Sequence, residues 1–259
     1  MTWINTPAHP IDDERYRVTC ARRLDANGAL VLPKFFTELF VTTVLAESTE
    51  RERESFFASS THNVWLTARD DELADDHIFN RQIVSTKGLL ADDQIPSGSP
   101  LRMVYEDDAF KSFIAAVVGV DQVHPYADEL SSVNVHFHRD HEELGWHFDN
   151  SSFAVTTLIQ PPEAGGAFEY VKDLRNAEAD EQNFDGVKTA IDSQKGVKIL
   201  NFAPTDLVLF RGRNSMHRVT PSLGRRTRIL VVLAFNTEPG IGLSDSAKLT
   251  FYGRTSAID

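Results

Sequence analysis

The stretch that decides the fold is Gly145-Trp146-His147-Phe148-Asp149 together with the chain that follows it. After Asp149 come the run Phe153–Gln160, a Pro-Pro-Glu-Ala-Gly-Gly turn at 161–166 and a second run, Ala167–Val171. This alternation predicts a strand, a turn and a second strand. We therefore expect His147 and Asp149 at the mouth of a β-structure, with both side chains on the same side.

The C-terminal half of the sequence, from about Leu130, is rich in short β-like segments separated by Gly, Pro and Asp. The segments are Ser132–His138, Phe153–Gln160, Ala167–Val171, Asp206–Phe210, Met216–Thr220 and Thr227–Asn236. Short strands at this spacing predict a sandwich or barrel. The polar, acidic stretch Asp173–Ser193 interrupts them and is expected as a loop or an irregular helix.

The N-terminal part is expected to mix strand and helix. Tyr16–Leu24 and Gly28–Leu32 look extended, and a helix opens at Pro33 or Lys34. The predicted apolar face of this helix consists of Phe35, Phe36, Leu39, Val44 and Leu45. A second helix begins near Asp107 and ends at Gly119. The fold class expected is mainly β with helices (α+β), a helical N-terminal part packed on a jelly roll.

Composition excludes several classes of protein. The net charge of −12, from 26 Lys+Arg against 38 Asp+Glu, argues against binding a nucleic acid backbone, which requires a basic surface. No apolar run approaches the roughly 20 residues of a membrane span, and no secretory signal is visible at the N-terminus. Cys20 is the only cysteine, which favours a reducing compartment, so a cytoplasmic protein is expected.

The residues most suggestive of chemistry are His147, Asp149 and His217. Two imidazoles and one carboxylate in this order can occupy one face of an octahedral metal and leave three positions open. Taken singly, His147 is equally well a hydrogen-bonded surface imidazole and His217 a histidine at a strand end. The sequence contains another His-x-Asp tripeptide, His138-Arg139-Asp140, which is followed by a polar loop. We therefore assign the metal to His147 and Asp149.

Several motifs carry a resemblance to a known superfamily. The runs Asp206–Pro221 and Gly224–Arg228 resemble the end of the catalytic core in Fe(II)/2-oxoglutarate-dependent dioxygenases. The Gly165-Gly166-Ala167-Phe168-Glu169 segment is similar to the Gly-Gly segment of their prolyl-hydroxylase-like branch. Within that branch, His136–Asp140, Gly145–Asp149, Gly165–Glu169 and Ala234–Gly240 look most like the carrier-free amino-acid halogenase and hydroxylase group. The resemblance covers roughly residues 129–240.

This resemblance implies a double-stranded β-helix (jelly roll, cupin-like) core and the cofactors Fe(II), 2-oxoglutarate and O₂. From chain length and the strand pattern we expect one catalytic domain, 1–259, with a mixed α/β N-terminal part at 1–128, the jelly-roll catalytic core at 129–240 and a C-terminal extension at 241–259. A basic residue nine or eleven positions past His217 would bind 2-oxoglutarate, which points to Arg226 or Arg228. Since two residues two apart in a strand point the same way, both are candidates, and the apolar run Ile229–Phe235 favours Arg228.

The resemblance also bears on the reaction. Halogenases of the group replace the carboxylate ligand with glycine, which frees a position for chloride, whereas this chain has Asp149. Hydroxylation of a small polar substrate, a free amino acid or a derivative, is therefore implied, with succinate and CO₂ released. Desaturation or ring formation, a zinc hydrolase and a non-catalytic metal-binding jelly-roll module remain as alternatives.

The candidates for substrate binding are less specific, because each also fits a purely structural role. Glu129 is a candidate for an ammonium group and Arg81 for a carboxylate. The remaining candidates are Asn134, His136, Trp146 and Asn150. The partner expected is a small molecule, with no nucleic acid and no membrane, and a homodimer is one option for the assembly.

Overall fold

The computed structural model describes residues 3–258, so Met1, Thr2 and Asp259, at the ends of the predicted domain, lie outside the described residues. The helices are α1 (Glu14–Asn27), α2 (Glu38–Arg51), α3 (Pro100–Glu106), α4 (Asp108–Val118), α5 (Phe184–Ser193) and α6 (Asp245–Tyr252). The strands are β1 (Ala29–Leu32), β2 (Phe56–His62), β3 (Ile83–Leu90), β4 (Val133–His138), β5 (Leu144–His147), β6 (Ala154–Gln160), β7 (Ala164–Gly165), β8 (Phe168–Val171), β9 (Lys198–Leu200), β10 (Leu207–Phe210), β11 (Met216–Val219), β12 (Ser222–Leu223) and β13 (Arg228–Leu233).

The strands form an antiparallel jelly roll, as the sequence predicts. One continuous sheet runs in the order β1-β10-β6-β13-β4-β3-β5-β11-β8-β9, with β2 paired to β3, and β12 pairs with β7 separately. Strand β3 joins the two halves, because it pairs with β4 over three residues and with β5 through Ser85 and Leu144. The mainly β, α+β class with a cupin-like core is thus confirmed.

The main core lies between one face of the larger half-sheet and helices α1 to α4. Alternate residues of β4 and β13 enter it, including Val135 and Phe137 on β4 and Val231 on β13. Because side chains alternate across a strand, the residues between them face the barrel interior. Those interior positions are Asn134, His136 and His138 on β4 and Arg228, Leu230 and Val232 on β13.

A second core supports the smaller half-sheet. Trp146 on β5 and Met216 on β11 pack under α5 through Val187 and Ala190. Their neighbours in sequence, His147 and His217, therefore face the opposite way, into the barrel.

The stretch Asp173–Ser193, expected as a loop or an irregular helix, contains a regular helix, α5. The Asn183 side chain caps it by accepting from the backbone N–H of Gly186.

The strand expected over Tyr16–Leu24 is wrong, because this segment lies within α1. Asp13 caps the helix by accepting from the Tyr16 backbone N–H at 2.7 Å, and Gly28 ends it in the left-handed conformation. Cys20 and Leu24, four residues apart, are its buried positions. The β-branched and aromatic residues favoured a strand, but the caps at both ends and the helical spacing decide the structure.

The start predicted for the next helix is also wrong. Lys34 has a φ of 56°, in the left-handed region, so the chain turns there, and α2 begins only after its N-cap, Thr37. Phe35 and Phe36 are buried ahead of the helix, whereas Leu39 is 44% exposed. The buried positions of α2 are Phe40, Val41, Val44 and Ser48.

The other boundaries agree closely with the sequence. Each of the six strands expected after Leu130 is present, and α4 ends at Gly119 as expected. The elements that were not predicted individually are strands β2, β3, β5, β7, β9 and β12 and helices α3 and α6. None of the helices within residues 3–258 is both long and apolar enough to cross a membrane.

Candidate metal centre

His147, Asp149 and His217 lie together at the mouth of the barrel. His147 ends β5 and is the register partner of His217 on β11, so the antiparallel pairing brings two residues seventy positions apart side by side. The Oδ1 atom of Asp149 is 3.6 Å from Nε2 of His147 and 3.5 Å from Nε2 of His217. The sequence assignment therefore describes one compact cluster, in which each residue offers one ligand atom.

The backbone fixes which nitrogen of each imidazole faces the cluster. Nδ1 of His147 lies 2.7 Å from the carbonyl oxygen of Gly145, and Nδ1 of His217 lies 3.0 Å from that of Ser215. A carbonyl oxygen only accepts, so each Nδ1 carries the proton and donates it. Each Nε2 then presents a lone pair, as in metal-bound histidines oriented by an outer hydrogen bond.

The electrostatics of the cluster suit a cation. Burial, together with the nearby His217, lowers the pKa of His147 to about 4, so its imidazole is neutral at neutral pH. Burial alone would raise the pKa of Asp149, but positive charge on the His217 and His147 rings, when they are protonated, outweighs burial and holds that pKa below its ordinary value. The Oδ2 atom of Asp149 is buried and has no hydrogen-bond partner among residues 3–258. Converging acceptors and an unpartnered carboxylate oxygen fit a divalent metal.

The Asp149 carboxylate is held by close contact with the chain at Gly212. The backbone N–H of Asp149 donates to the Gly212 carbonyl at 3.1 Å, and a Cβ on Gly212 would overlap the Asp149 carboxylate. Phe168 and Phe210 pack against the His217 ring at centroid distances of 5.4 and 4.8 Å. These contacts restrict the ligand side chains to one arrangement.

A family model described as Halogenase D (HalD) matches residues 78–247, well over half of the chain. The chain belongs to the Halogenase D family. The match spans all three residues of the metal cluster, and the superfamily expected from the motifs, the Fe(II)/2-oxoglutarate-dependent oxygenases, is confirmed. The enzyme's cofactors are accordingly Fe(II), 2-oxoglutarate and O₂. No curated protein matches the chain.

Solved structures of 2-oxoglutarate oxygenases share the fold of this Halogenase D family member. The carbocyclase SnoK from nogalamycin biosynthesis is 12% identical, with a TM-score of 0.61 over 93% of this chain and 92% of that chain. A prolyl hydroxylase from Trichoplax adhaerens, solved in complex with a peptide fragment of the hypoxia-inducible factor oxygen degradation domain, is 14% identical, with a TM-score of 0.57 over 87% and 91%. An oxygenase-family oxidoreductase from Burkholderia pseudomallei is 12% identical, with a TM-score of 0.54 over 89% and 95%. At these identities the likeness concerns the fold.

The second His-x-Asp tripeptide is divided between two environments. His138 is buried in the barrel interior, where its Nδ1 lies 3.5 Å from the guanidinium of Arg228. Asp140 is exposed and accepts from the backbone N–H of Gly224 at 2.9 Å. Neither residue belongs to the cluster formed by His147, Asp149 and His217.

Arg228 is a buried charge that lacks an anionic partner. It is 2% exposed, and burial lowers its pKa to about 10, so it remains charged at neutral pH. Within the part of the chain that the structure describes, Arg228 makes no ion pair, and its one side-chain hydrogen bond is to His138. A buried, unpaired cation is costly. Since Arg228 donates to Nδ1 of His138, the other ring nitrogen, Nε2, carries a proton. This Nε2 is buried and finds no partner in the described part of the chain. Both residues thus offer donors suited to a carboxylate such as that of 2-oxoglutarate.

Arg226 lies elsewhere, which corrects the expectation that the two arginines point the same way along one strand. Strand β13 begins only at Arg228. Arg226 is exposed, and its guanidinium donates to the carbonyl oxygens of Pro161 and Pro162 at 2.8 and 2.9 Å. Gly166 from the Gly-Gly turn lies against the Arg228 side chain, since a Cβ there would come within 3.0 Å of its Cδ.

Three of the candidate substrate residues are inside the molecule. His136 is half-buried, and its Nδ1 lies 3.5 Å from Nζ of Lys87. Asn134 is buried and accepts from the Tyr252 hydroxyl at 2.6 Å, which ties α6 to the barrel. Trp146 packs in the core beneath α5, with the Arg218 guanidinium 4.7 Å from its ring centroid.

The other three candidates lie at the surface. Glu129 is exposed. Arg81 is exposed and forms an ion pair with Asp192. Asn150 is exposed beside Asp149 and lines a cavity of ≈ 300 Å³ with Tyr126, Phe153, Phe235 and Asn236.

Two cations near the cluster were not anticipated from the sequence. Lys87 on β3 faces the interior, and burial lowers its pKa to about 8, an effect that the Asp149 carboxylate partly opposes. Arg175 stacks its guanidinium 4.2 Å from the Phe148 ring centroid and donates to the Arg213 carbonyl at 2.7 Å. The only signal for Lys87 was a lone charge within the run Ile83–Leu90; Arg175 had none.

Proposed function

We propose that this enzyme hydroxylates an unactivated C–H bond of a small polar molecule, a free amino acid or a close derivative. The observation that carries the proposal is the position of Asp149, whose carboxylate lies with His147 and His217 at one point. Three protein ligands on one face of an octahedral ion leave three positions. If 2-oxoglutarate and O₂ take these positions, none would be left for a halide.

The residues divide the work between binding and positioning. His147, Asp149 and His217 would hold Fe(II), which, with O₂ and 2-oxoglutarate, supplies the oxidising power to break the C–H bond and releases succinate and CO₂. Arg228 would bind the distal carboxylate of 2-oxoglutarate, with the Nε2–H of His138 as a second donor. Phe168 and Phe210, packed on His217, keep water from that side of the metal.

The proposal extends to the organisation and location of the chain. A single catalytic domain is supported by β3, which comes from the N-terminal part and pairs with β4 and β5 of the core. A cytoplasmic location is supported by the single cysteine, Cys20, which is buried, because such a chain gains nothing from an oxidising compartment.

The deciding experiment is anaerobic reconstitution with Fe(II), followed by exposure to O₂ and 2-oxoglutarate with a panel of free amino acids. Succinate and the product mass are measured. A hydroxylated product adds one oxygen atom, whereas desaturation or ring formation removes two hydrogens, so the mass separates the alternatives. Asp149→Ala serves as the inactive reference and Asp140→Ala as its matched control at the exposed tripeptide. Turnover in Asp149→Ala equal to that of the unmodified enzyme would refute the proposal.

A further inference from the structure

The barrel interior contains two cation–imidazole pairs on adjacent strands. In the first, Arg228 lies 3.5 Å from Nδ1 of His138. In the second, Nζ of Lys87 lies 3.5 Å from Nδ1 of His136. His136 and His138 are two residues apart on β4 and share its interior face. The two pairs are therefore neighbours that present the same chemistry.

Lys87 is a cation without an ion-pair partner among residues 3–258. It makes no ion pair within 4.0 Å, and Asp149 is the carboxylate whose charge acts on it. Its ammonium lies 5.6 Å from the ring centroid of Phe251 on α6, so the aromatic ring covers one side of the charge. The strand directs the ammonium inward, because Ser85, Lys87 and Leu89 alternate with residues that face outward.

The charges of the interior do not balance with 2-oxoglutarate alone. Among the described residues, Arg228, Lys87 and a divalent metal would share the barrel interior with one carboxylate, that of Asp149. Arg175 stands apart from this balance, because it is half-exposed on the Phe148 ring and the Glu178 carboxylate also acts on its charge. Glu169, another acid of the barrel, is already paired with Arg218 at 2.7 Å. Once the dianionic 2-oxoglutarate is bound at the metal and Arg228, one positive charge remains, and it is located at Lys87. An uncompensated charge in such a site is costly, so a further anion is favoured there.

We infer that Lys87, with His136 beside it, forms a subsite for the carboxylate of the substrate. This inference rests on the proposed function and deepens it, because it names the group by which the substrate is held. It also replaces Arg81, the residue suggested by the sequence, which is exposed and paired with Asp192. Since Lys87 donates to Nδ1 of His136, the Nε2 of His136 carries a proton and offers a second donor to the same carboxylate.

The test measures binding without turnover. The full chain is loaded with Mn(II) and 2-oxoglutarate under anaerobic conditions, and a panel of free amino acids and simple carboxylic acids is titrated by calorimetry. Each compound that binds is compared with its carboxamide, which has nearly the same shape without the charge. We expect the carboxamide to bind about 100-fold more weakly, as for loss of one partner of a buried charge pair.

The variants locate the effect at one side chain. Lys87→Met retains the length of the aliphatic stem and should lower affinity for the carboxylate about 100-fold while leaving carboxamide affinity unchanged. Lys87→Arg should restore most of the loss, and Lys195→Met, at an exposed lysine, should have no effect. Affinity for 2-oxoglutarate should change less than about threefold in Lys87→Met.

Several results would overturn the inference. Lys87→Met could weaken carboxylate and carboxamide equally, or weaken 2-oxoglutarate more than the substrate, or Arg81→Met could cause the selective loss instead. A panel in which no carboxylate compound binds would also overturn it. If Lys87→Met does not fold, Lys87→Gln and Arg81→Met carry the comparison, and a selective loss of carboxylate binding in Arg81→Met overturns the inference. Because no product is measured, failure of the hydroxylation proposal remains distinguishable.

Discussion

The Asp149 carboxylate lies against the Cα atom of Gly212, with no room between them for a side chain. The two residues also share a hydrogen bond from the Asp149 N–H to the Gly212 carbonyl. Gly212 is not in the left-handed region, so alanine is allowed by the backbone and only the carboxylate opposes it. Gly212 therefore restricts the position of the Asp149 carboxylate, a proposed metal ligand, without itself offering a ligand atom.

Gly212→Ala should weaken Fe(II) affinity about 10–100-fold, the range for loss of an outer contact to a metal ligand. The added methyl group displaces the carboxylate from the imidazoles. Metal affinity and melting temperature are measured together, with Gly98→Ala as the control, since no atom lies within 4 Å of a Cβ at Gly98. Unchanged metal affinity in Gly212→Ala would contradict this account.

The three proposed ligands should be individually required. His147→Ala, Asp149→Ala and His217→Ala should each lower Fe(II) affinity by more than the Gly212 variant, because each removes a coordinating atom. His138→Ala and Asp140→Ala should leave the iron content of the purified protein nearly unchanged. Iron content is measured by elemental analysis. Loss of metal in Asp140→Ala but not in Asp149→Ala would reverse the assignment.

Arg228→Ala should raise the Kd for 2-oxoglutarate strongly. Truncating one partner of a buried, hydrogen-bonded charge pair costs about 2–5 kcal/mol. Arg226→Ala should change this Kd little, because Arg226 binds backbone carbonyls at the surface. Titration of the anaerobic Mn(II)-loaded protein with 2-oxoglutarate provides the measurement. A larger rise in this Kd in Arg226→Ala than in Arg228→Ala would assign 2-oxoglutarate binding to Arg226, nine positions past His217.

The metal-free protein should lose stability on mild acidification. The pKa of His147 is about 4 in the folded protein against 6.5 as a reference, and burial lowers the pKa of His138 well below that reference. Between pH 6.5 and 4 the unfolded chain binds more protons, so the free energy of unfolding falls as the pH falls, by up to about 1.4 kcal/mol per pH unit for each histidine. Denaturant titrations at several pH values with a chelator measure the slope. His138→Gln should make it shallower and His141→Gln, at a side chain 79% exposed, should not.

Chloride or bromide in the assay should appear in no product of the unmodified enzyme, since in the proposed site Asp149 would take the coordination position that a halide needs. Asp149→Gly should abolish most hydroxylation and give at most trace halogenated product. Halogenation also requires the substrate C–H bond to be positioned at the metal, and this substitution creates none of the contacts that would position it. Product masses are compared with and without halide. Efficient chlorination by the unmodified enzyme would overturn both the ligand assignment and the hydroxylase proposal.

The sequence was most informative where a local pattern and a spacing agreed. His147, Asp149 and His217 could be paired because a strand follows Asp149 and a second strand contains His217. The helix over Glu14–Asn27 was misread, because β-like residues hid the caps at Asp13 and Gly28. Lys87 showed only the weak signal of a lone charge within Ile83–Leu90, since its interior position depends on β3 pairing with β4, a contact between segments far apart in sequence.

Strand β3 also has a consequence for how the molecule assembles. It lies between β4 and β5 in the sheet, while β13 pairs with the other edge of β4. The pairings of β3 with β4 and β5, and of β4 with β13, join segments far apart in sequence. They form slowly compared with the local contacts within helices. A nascent chain that has not yet emerged through Leu233 lacks both Arg228 and the strand that carries it. We therefore expect the proposed metal centre to be among the last parts to form, and iron to bind only after Leu233 has been synthesised.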